Sequence, residues 1–365
     1  MKWITVALLV SVYLLQGCSP DTSPSSTTDL KTIPYQPLAY PLEEAAEFVK
    51  MQIPDGSPLT VEGVELGRML FYDPILSGDS TMSCASCHMQ SIGFTDGRPV
   101  STGIRNLEGS RSAPALINMG YHYAGLFWDG RVNTLEGQAI MPVEDSLELN
   151  HNWDSVEIQI QRHKSYPIHF RKAFGIEKRN EISRDLITKA IAQFERSLIS
   201  NSSKYDKVVR GEMEFTAAEK RGWTIFFDAS DELPKAECGH CHIDPLFTNL
   251  QFENNGIESV KDLDDFEDKG RGAISGNYYD NGKFKTPTLR NIALTAPYMH
   301  DGRFATLDDV LDHYISGGHP AVNASPNVRK LDLDESHKKD LIAFLHTLTD
   351  STLLNDTAFS NPFAE

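Results

Sequence analysis

Two short strings in this chain bring two thiols and an imidazole together within five residues: Cys84-Ala85-Ser86-Cys87-His88 and Cys238-Gly239-His240-Cys241-His242. The pattern C-x-x-C-H is the attachment signature of c-type haem. Each cysteine can form a thioether to a porphyrin vinyl, and the adjoining histidine then sits under the iron as its proximal ligand. A short turn brings both sulfurs and the ring to one edge and one face of the same group. The rival chemistry for four such thiols is a structural zinc site. Zinc pairs are usually closer in sequence, however, and a histidine after both pairs would be a coincidence. The spacing therefore points to two covalently bound c-type haems, held by Cys84, Cys87, His88, Cys238, Cys241 and His242.

The chain has five cysteines, and the fifth, Cys18, ends an N-terminal export signal. Lys2 supplies a positive start, and Ile4 to Leu15 is an apolar core too short for a comfortable span. Leu15-Gln16-Gly17-Cys18 resembles a bacterial lipobox, in which cleavage leaves a lipidated cysteine as the new N-terminus. This predicts a signal peptide over 1–18, a flexible Ser/Thr/Pro/Asp tether over 19–34, and a lipoprotein on the periplasm side of a bacterial cell envelope. Its only membrane contact would be the lipid anchor. The formal charge of −17 argues against nucleic acid and against an anionic membrane surface, and is compatible with a basic patch on an electron-carrier partner.

The elements that must hold the two strings repeat in order. Gly67 to Asp73 precedes the first motif, and Gly222 to Asp228 precedes the second. Then follow Pro114 to Asn118 and Pro287 to Asn291, Asp129-Gly130-Arg131 and Asp301-Gly302-Arg303, and Thr134-Leu135-Glu136 and Thr306-Leu307-Asp308. Four landmarks in the same order predict a mainly α protein of two cytochrome-c-like haem domains related by internal duplication, with few or no strands. The expected boundaries are 35–180 for the N-terminal domain, 181–350 for the C-terminal domain, and a tail over 351–365. Thr216 with Glu219 makes a capping box ahead of an apolar run. Ile187, Ala190, Ile191, Phe194 and Leu198 fall at helical spacing in a segment expected to link the halves. Leu341, Ile342, Phe344, Leu345 and Leu348 mark a closing helix. Gly256 to Lys285 reads as a long, solvated surface loop.

C-x-x-C-H accounts for five of six iron positions, and the sixth decides function. A strong ligand makes an electron-transfer haem, whereas an open position admits peroxide. Counting from the shared Thr-Leu pairs, Tyr314 falls opposite Pro142, which has no side-chain ligand atom. Tyr314 is thus the candidate sixth ligand of the second iron, with Met299 or His313 as alternatives, and the first iron is expected to be open.

From about Leu59 to Thr349 the chain resembles the bacterial dihaem cytochrome c peroxidase and MauG superfamily. The resemblance is carried by Ser83 to His88, Phe127-Trp128-Asp129-Gly130-Arg131, Leu289-Arg290-Asn291 and Thr295 to Gly302. It implies a peroxidatic N-terminal haem, an electron-transferring C-terminal haem, and Trp128 between them. It also implies a glutamine ten residues and a glutamate twenty residues beyond that tryptophan, and these are Gln138 and Glu148. A glutamate beside an open iron can move the peroxide proton as acid and base. Gln138 can hold peroxide or Glu148 by hydrogen bonds. Electrons would enter through the second haem and Trp128.

Three departures from the family pattern matter. Many of its peroxidases carry a histidine sixteen residues after the first motif, which leaves the open site on reduction; here that position is Ile104. His122 is a distant replacement candidate, or an ordinary loop histidine. The same peroxidases ligate the second haem with methionine where this chain has Tyr314, and MauG-type enzymes use tyrosine and lack the switching histidine. A calcium ion often sits between the haems, with an asparagine ligand at the position of Ser112, so calcium stays open here. The expected function is a dihaem peroxidase that reduces hydrogen peroxide to water with electrons from a small cytochrome c or cupredoxin. The alternatives are a MauG-like oxidase acting on Trp or Tyr of a partner protein, and a pure electron-transfer cytochrome. The oligomeric state, a homodimer included, is left open.

Overall fold

A computed structural model describes residues 30–364; the export signal, Cys18 and most of the expected tether lie outside the described residues. In chain order the α-helices are α1 (Val61–Tyr72), α2 (Cys84–Cys87), α3 (Leu135–Glu144), α4 (Trp153–Arg162), α5 (Tyr166–Phe174), α6 (Arg184–Ser197), α7 (Lys204–Val209), α8 (Ala217–Phe226), α9 (Arg271–Ser275), α10 (Leu307–Ser316), α11 (Glu335–His346) and α12 (Ser351–Asn355). The strands β1 (Phe252–Glu253) and β2 (Phe284–Lys285) pair antiparallel. The fold is therefore mainly helical, as the sequence predicts. Among the described residues no helix is long and apolar enough to cross a membrane.

The duplication is visible as one helix crossing built twice. In the first half α1 crosses α6, and a Cβ on Gly67 would lie 1.9 Å from the Ala190 carbonyl and 2.9 Å from the Phe194 Cβ. In the second half α8 crosses α11, and a Cβ on Gly222 would lie 1.9 Å from the Asp340 carbonyl and 2.8 Å from the Phe344 Cβ. Only glycine lets two backbones approach so closely. Both crossings sit on aromatic floors: Phe71 and Phe194 in one half, Phe226, Phe247 and Phe344 in the other. The parallel continues in the caps, since Thr134 accepts from the Gly137 amide to start α3 and Thr306 accepts from the Asp309 amide to start α10. Hydroxyl N-caps of this kind satisfy amides that the first helical turn leaves without partners. The Thr216/Glu219 capping box forms as expected.

Four expectations change. First, α6 does not run between the halves. Its Ile187, Ala190 and Ile191 enter the core of the first half with Leu66 and Leu70, so it is that half's closing helix. Helical period shows which face is apolar, but not which partner covers it. Second, the chain after 350 is packed rather than a loose tail. Leu353 is buried in the first half, Gln90 donates to the Leu353 and Asp356 carbonyls, and the Tyr72 hydroxyl donates to the Phe359 carbonyl at 2.8 Å. Third, the end of the expected tether is anchored. Leu30 is buried and its amide donates to the Glu177 carbonyl. Fourth, the stretch 256–285 is not simply a solvated loop. It buries Leu263 and Phe266 and contributes α9 and β2. It also grips the first half, where Asp268 pairs with Arg111 and Arg271 donates to the Gly130 carbonyl.

Candidate functional site: two haem-attachment turns and the residues between them

Each attachment motif folds as the tight turn its spacing calls for. Cys84–Cys87 is a single α turn, and Cys238–His240 a 3-10 turn. His88 Nδ1 lies 2.8 Å from the Phe94 carbonyl, and His242 Nδ1 lies 3.0 Å from the Phe247 carbonyl. A carbonyl can only accept, so Nδ1 carries the proton in both rings and Nε2 keeps its lone pair for a metal. Phe94 and Phe247 both adopt left-handed backbone, with φ of 61° and 53°, and both are fully buried. The same unusual conformation aims the same carbonyl in each half. Burial pushes the Cys84 and Cys238 thiols up to about 12, which suits sulfurs destined for covalent attachment rather than free thiolates. The donor set and its orientation fit two covalently held haems.

In the first half, Gln138 sits half-buried on α3 and Glu148 in the turn that follows it. Among the described residues no hydrogen bond joins their side chains. Glu148 is close enough to both first-motif cysteines for its charge to raise their pKa values. Burial pushes the Glu148 carboxyl itself up to about 7; Asp145 adds to the rise and Arg131 opposes it. Ile104, at the position of the switching histidine, donates its amide to the Glu148 carbonyl at 3.0 Å. An aliphatic residue therefore stands beside Glu148.

In the second half, a deep and mostly apolar cavity gathers Cys238, Cys241, His242, Met299 and Tyr314, and Trp128 of the first half also lines it. Burial pushes the Tyr314 hydroxyl up to about 12. The Asn255 amide donates to the Tyr314 hydroxyl at 3.2 Å and to Met299 Sδ at 3.3 Å. Both candidate ligands thus face the cavity together. His313 does not, because its Nε2 donates to the Asn255 carbonyl at 2.9 Å and its ring packs on Phe304. His122, open in the sequence between a distant replacement ligand and an ordinary loop histidine, also lines this second cavity.

Trp128 is held on both sides. Its Nε1 donates to the Ser112 carbonyl at 2.9 Å, and the Ser112 hydroxyl donates to the Met299 carbonyl at 3.1 Å. The neighbouring Asp129 is buried between Arg111 and Arg131. Ser112 spends its hydroxyl on this clasp.

The family profile for di-haem cytochrome c peroxidase matches residues 61–214. The chain is 36% identical over 301 residues to the methylamine utilization protein MauG of Methylorubrum extorquens, covering 81% of this chain and 80% of that protein. It is 35% identical over 298 residues to the cytochrome c551 peroxidase of Nitrosomonas europaea, covering 80% and 81%. The chain belongs to the di-haem cytochrome c peroxidase and MauG family. Among solved structures, a MauG-like protein associated with microbial copper homeostasis superposes with a TM-score of 0.82 at 35% identity, over 89% of this chain and all of that one. Membership of this family implies two c-type haems, oxidoreductase chemistry, and the mainly helical two-haem fold described above.

Sequence reasoning missed one buried acid. Glu195 on α6 is 4% exposed, and its Oε2 has no hydrogen-bond partner. Burial pushes its carboxyl up to about 8, and its charge in turn raises Cys84. The signal was present in the repeat. The matched crossings set Phe194 opposite Phe344, which places Glu195 opposite Leu345, a residue lining the second cavity.

Proposed function

We propose that this chain is a dihaem c-type peroxidase. It reduces hydrogen peroxide to water at an open N-terminal haem, with electrons from a small cytochrome c or cupredoxin entering through the C-terminal haem. The observation that carries the reading is Glu148, a partly buried carboxyl near the first-motif cysteines that desolvation pushes up to about 7. When bound, the haems supply peroxide cleavage at the first site and electron transfer at the second.

The chain's own groups handle protons and position. Glu148 takes the proton from one peroxide oxygen and returns it to the other; a pKa near the working pH lets one carboxyl serve as base and then as acid. Ile104, whose amide bonds the Glu148 carbonyl, offers no side-chain ligand atom. Gln138 offers an amide to hold the peroxide or the Glu148 carboxyl. Trp128, fixed through Ser112, lies on the route between the halves. Tyr314, which faces the second cavity, would help hold the second haem, and a hard oxygen donor would favour the ferric state. Two electrons and two protons per peroxide yield two waters. The proposed setting is the periplasm side of a cell envelope, reached through a lipid anchor on Cys18.

A second reading, MauG-like oxidation of Trp or Tyr on a partner protein, is favoured by Tyr314 in the second cavity and Ile104 beside Glu148. Steady-state turnover with hydrogen peroxide and a reduced small c-type cytochrome separates the two. Oxidation of two donors per peroxide supports the peroxidase; peroxide consumption with an unreactive donor supports the oxidase.

A further inference from the structure

Two buried polar residues in the second cavity have no use in the chemistry above. His122 reaches it from the first half, just after the turn Met119–Tyr121, and Lys285 reaches it from β2. They are 7% and 5% exposed. Neither ring nitrogen of His122 has a hydrogen-bond partner among the described residues. The carboxylate whose charge Lys285 feels is Asp129, yet Asp129 is already paired with Arg111 and Arg131. Burial pulls Lys285 down to about 8, and it holds His122 well below the usual imidazole range, with Lys285 lowering it further. A buried ammonium and an unpartnered imidazole in one mostly apolar cavity are costly unless an anion meets them.

The group that Cys238, Cys241 and His242 would hold in this cavity brings such anions. Haem carries two propionate carboxylates on the edge away from the vinyls that form thioethers. We propose that Lys285 and His122 bind the propionate carboxylates of the second haem, Lys285 as counter-ion and His122 as hydrogen-bond donor. This rests on the reading that the second motif carries haem. The two residues come from different halves, so the propionates would staple the halves together. The Lys285 amide also donates to the Trp128 carbonyl at 2.8 Å, so the same residue ties the haem edge to the bridging tryptophan. Neutralising a propionate removes negative charge near the iron and so raises its reduction potential.

The test is a spectroelectrochemical titration of the full dihaem protein that resolves both haems, with covalent haem counted by mass spectrometry. Lys285→Met and His122→Leu are compared with wild type and with Lys285→Arg. The expected result is two haems in every variant and a lower potential of the second haem in Lys285→Met. Lys285→Arg should restore that potential, His122→Leu should shift it the same way, and the first haem should not move. Each of the two disabling variants is informative alone if the other fails to fold. An unmoved second-haem potential would overturn the assignment. So would a change of spin state in His122→Leu, which would make His122 an iron ligand instead. Wild-type protein carrying a single haem would remove the underlying reading and the proposal with it, whereas two haems with unmoved potentials would remove the proposal alone.

Discussion

The backbone amide of Lys285 donates to the carbonyl of Trp128 at 2.8 Å, and this bond joins the second half of the molecule directly to a first-half tryptophan that lines the second cavity. With Trp128 Nε1 on the Ser112 carbonyl and the Ser112 hydroxyl on Met299, the indole is bonded to its own half and, through Lys285 and Ser112, tied to the other. Trp128→Phe loses the Nε1 bond but keeps an aromatic ring. The variant is expected to react with the first equivalent of peroxide at near wild-type rate and to oxidise its donor at least tenfold more slowly. Stopped-flow kinetics separates the phases, and unchanged donor oxidation would count against a bridging role.

Glu148→Gln is expected to keep both haems and slow peroxide consumption by about 10²- to 10⁴-fold, the usual contribution of a positioned acid–base group. The pH profile carries the sign. Taking a proton from peroxide requires the carboxylate, so the wild-type rate should rise with pH through a step near 7, the value to which burial pushes this group. The variant should lack that step. A step retained in Glu148→Gln assigns it to another group.

Tyr314→Ala removes the hydroxyl that faces the second cavity beside Met299. The second haem is expected to turn high-spin, with the first unaffected, as read by absorption and magnetic circular dichroism. An unchanged spectrum places the ligand elsewhere.

Glu195 yields a stability prediction. Its carboxyl titrates at about 8 in the folded chain, against an ordinary 4.5. Well below pH 4.5 it is protonated in both states and adds no pH-dependent cost. Between 4.5 and 8 the unfolded chain ionises while the folded one stays protonated, so this group lowers stability progressively as pH rises. Glu195→Gln should therefore stabilise the haem-loaded protein by a few kcal/mol at pH 8 and little at pH 5. Thermal unfolding at both values checks this; an equal change in Tm at the two would show that the buried acid is not the cause.

The attachment motifs, the helical class and the duplication were legible because they depend on local spacing. Two thiols and a histidine on one turn need no tertiary context, and Gly67 and Gly222 mark their crossings within matching strings. What escaped depended on partners distant in sequence. The α6 pattern shows an apolar face, but only the 1.9 Å approach to Gly67 shows that α1 covers it. Leu353 looked like part of a tail because two adjacent leucines in a polar run carry no period, although Leu353 is buried against the first half. The charges of Lys261 to Lys285 suggested solvation, yet Asp268 and Arg271 are spent on Arg111 and on the carbonyls of Asp129 and Gly130. The two readings of His122 stayed open because sequence distance from the first motif does not reveal which cavity a loop reaches.

The proposed function requires one open haem beside Glu148 and one closed haem beside Tyr314. Low-temperature electron paramagnetic resonance of the oxidised dihaem protein, before and after peroxide, tests it most directly. The account predicts one high-spin and one low-spin ferric signal at rest, both lost on adding peroxide. Two low-spin signals that do not respond to peroxide would contradict it, because a sixth ligand would then occupy the first iron despite Ile104.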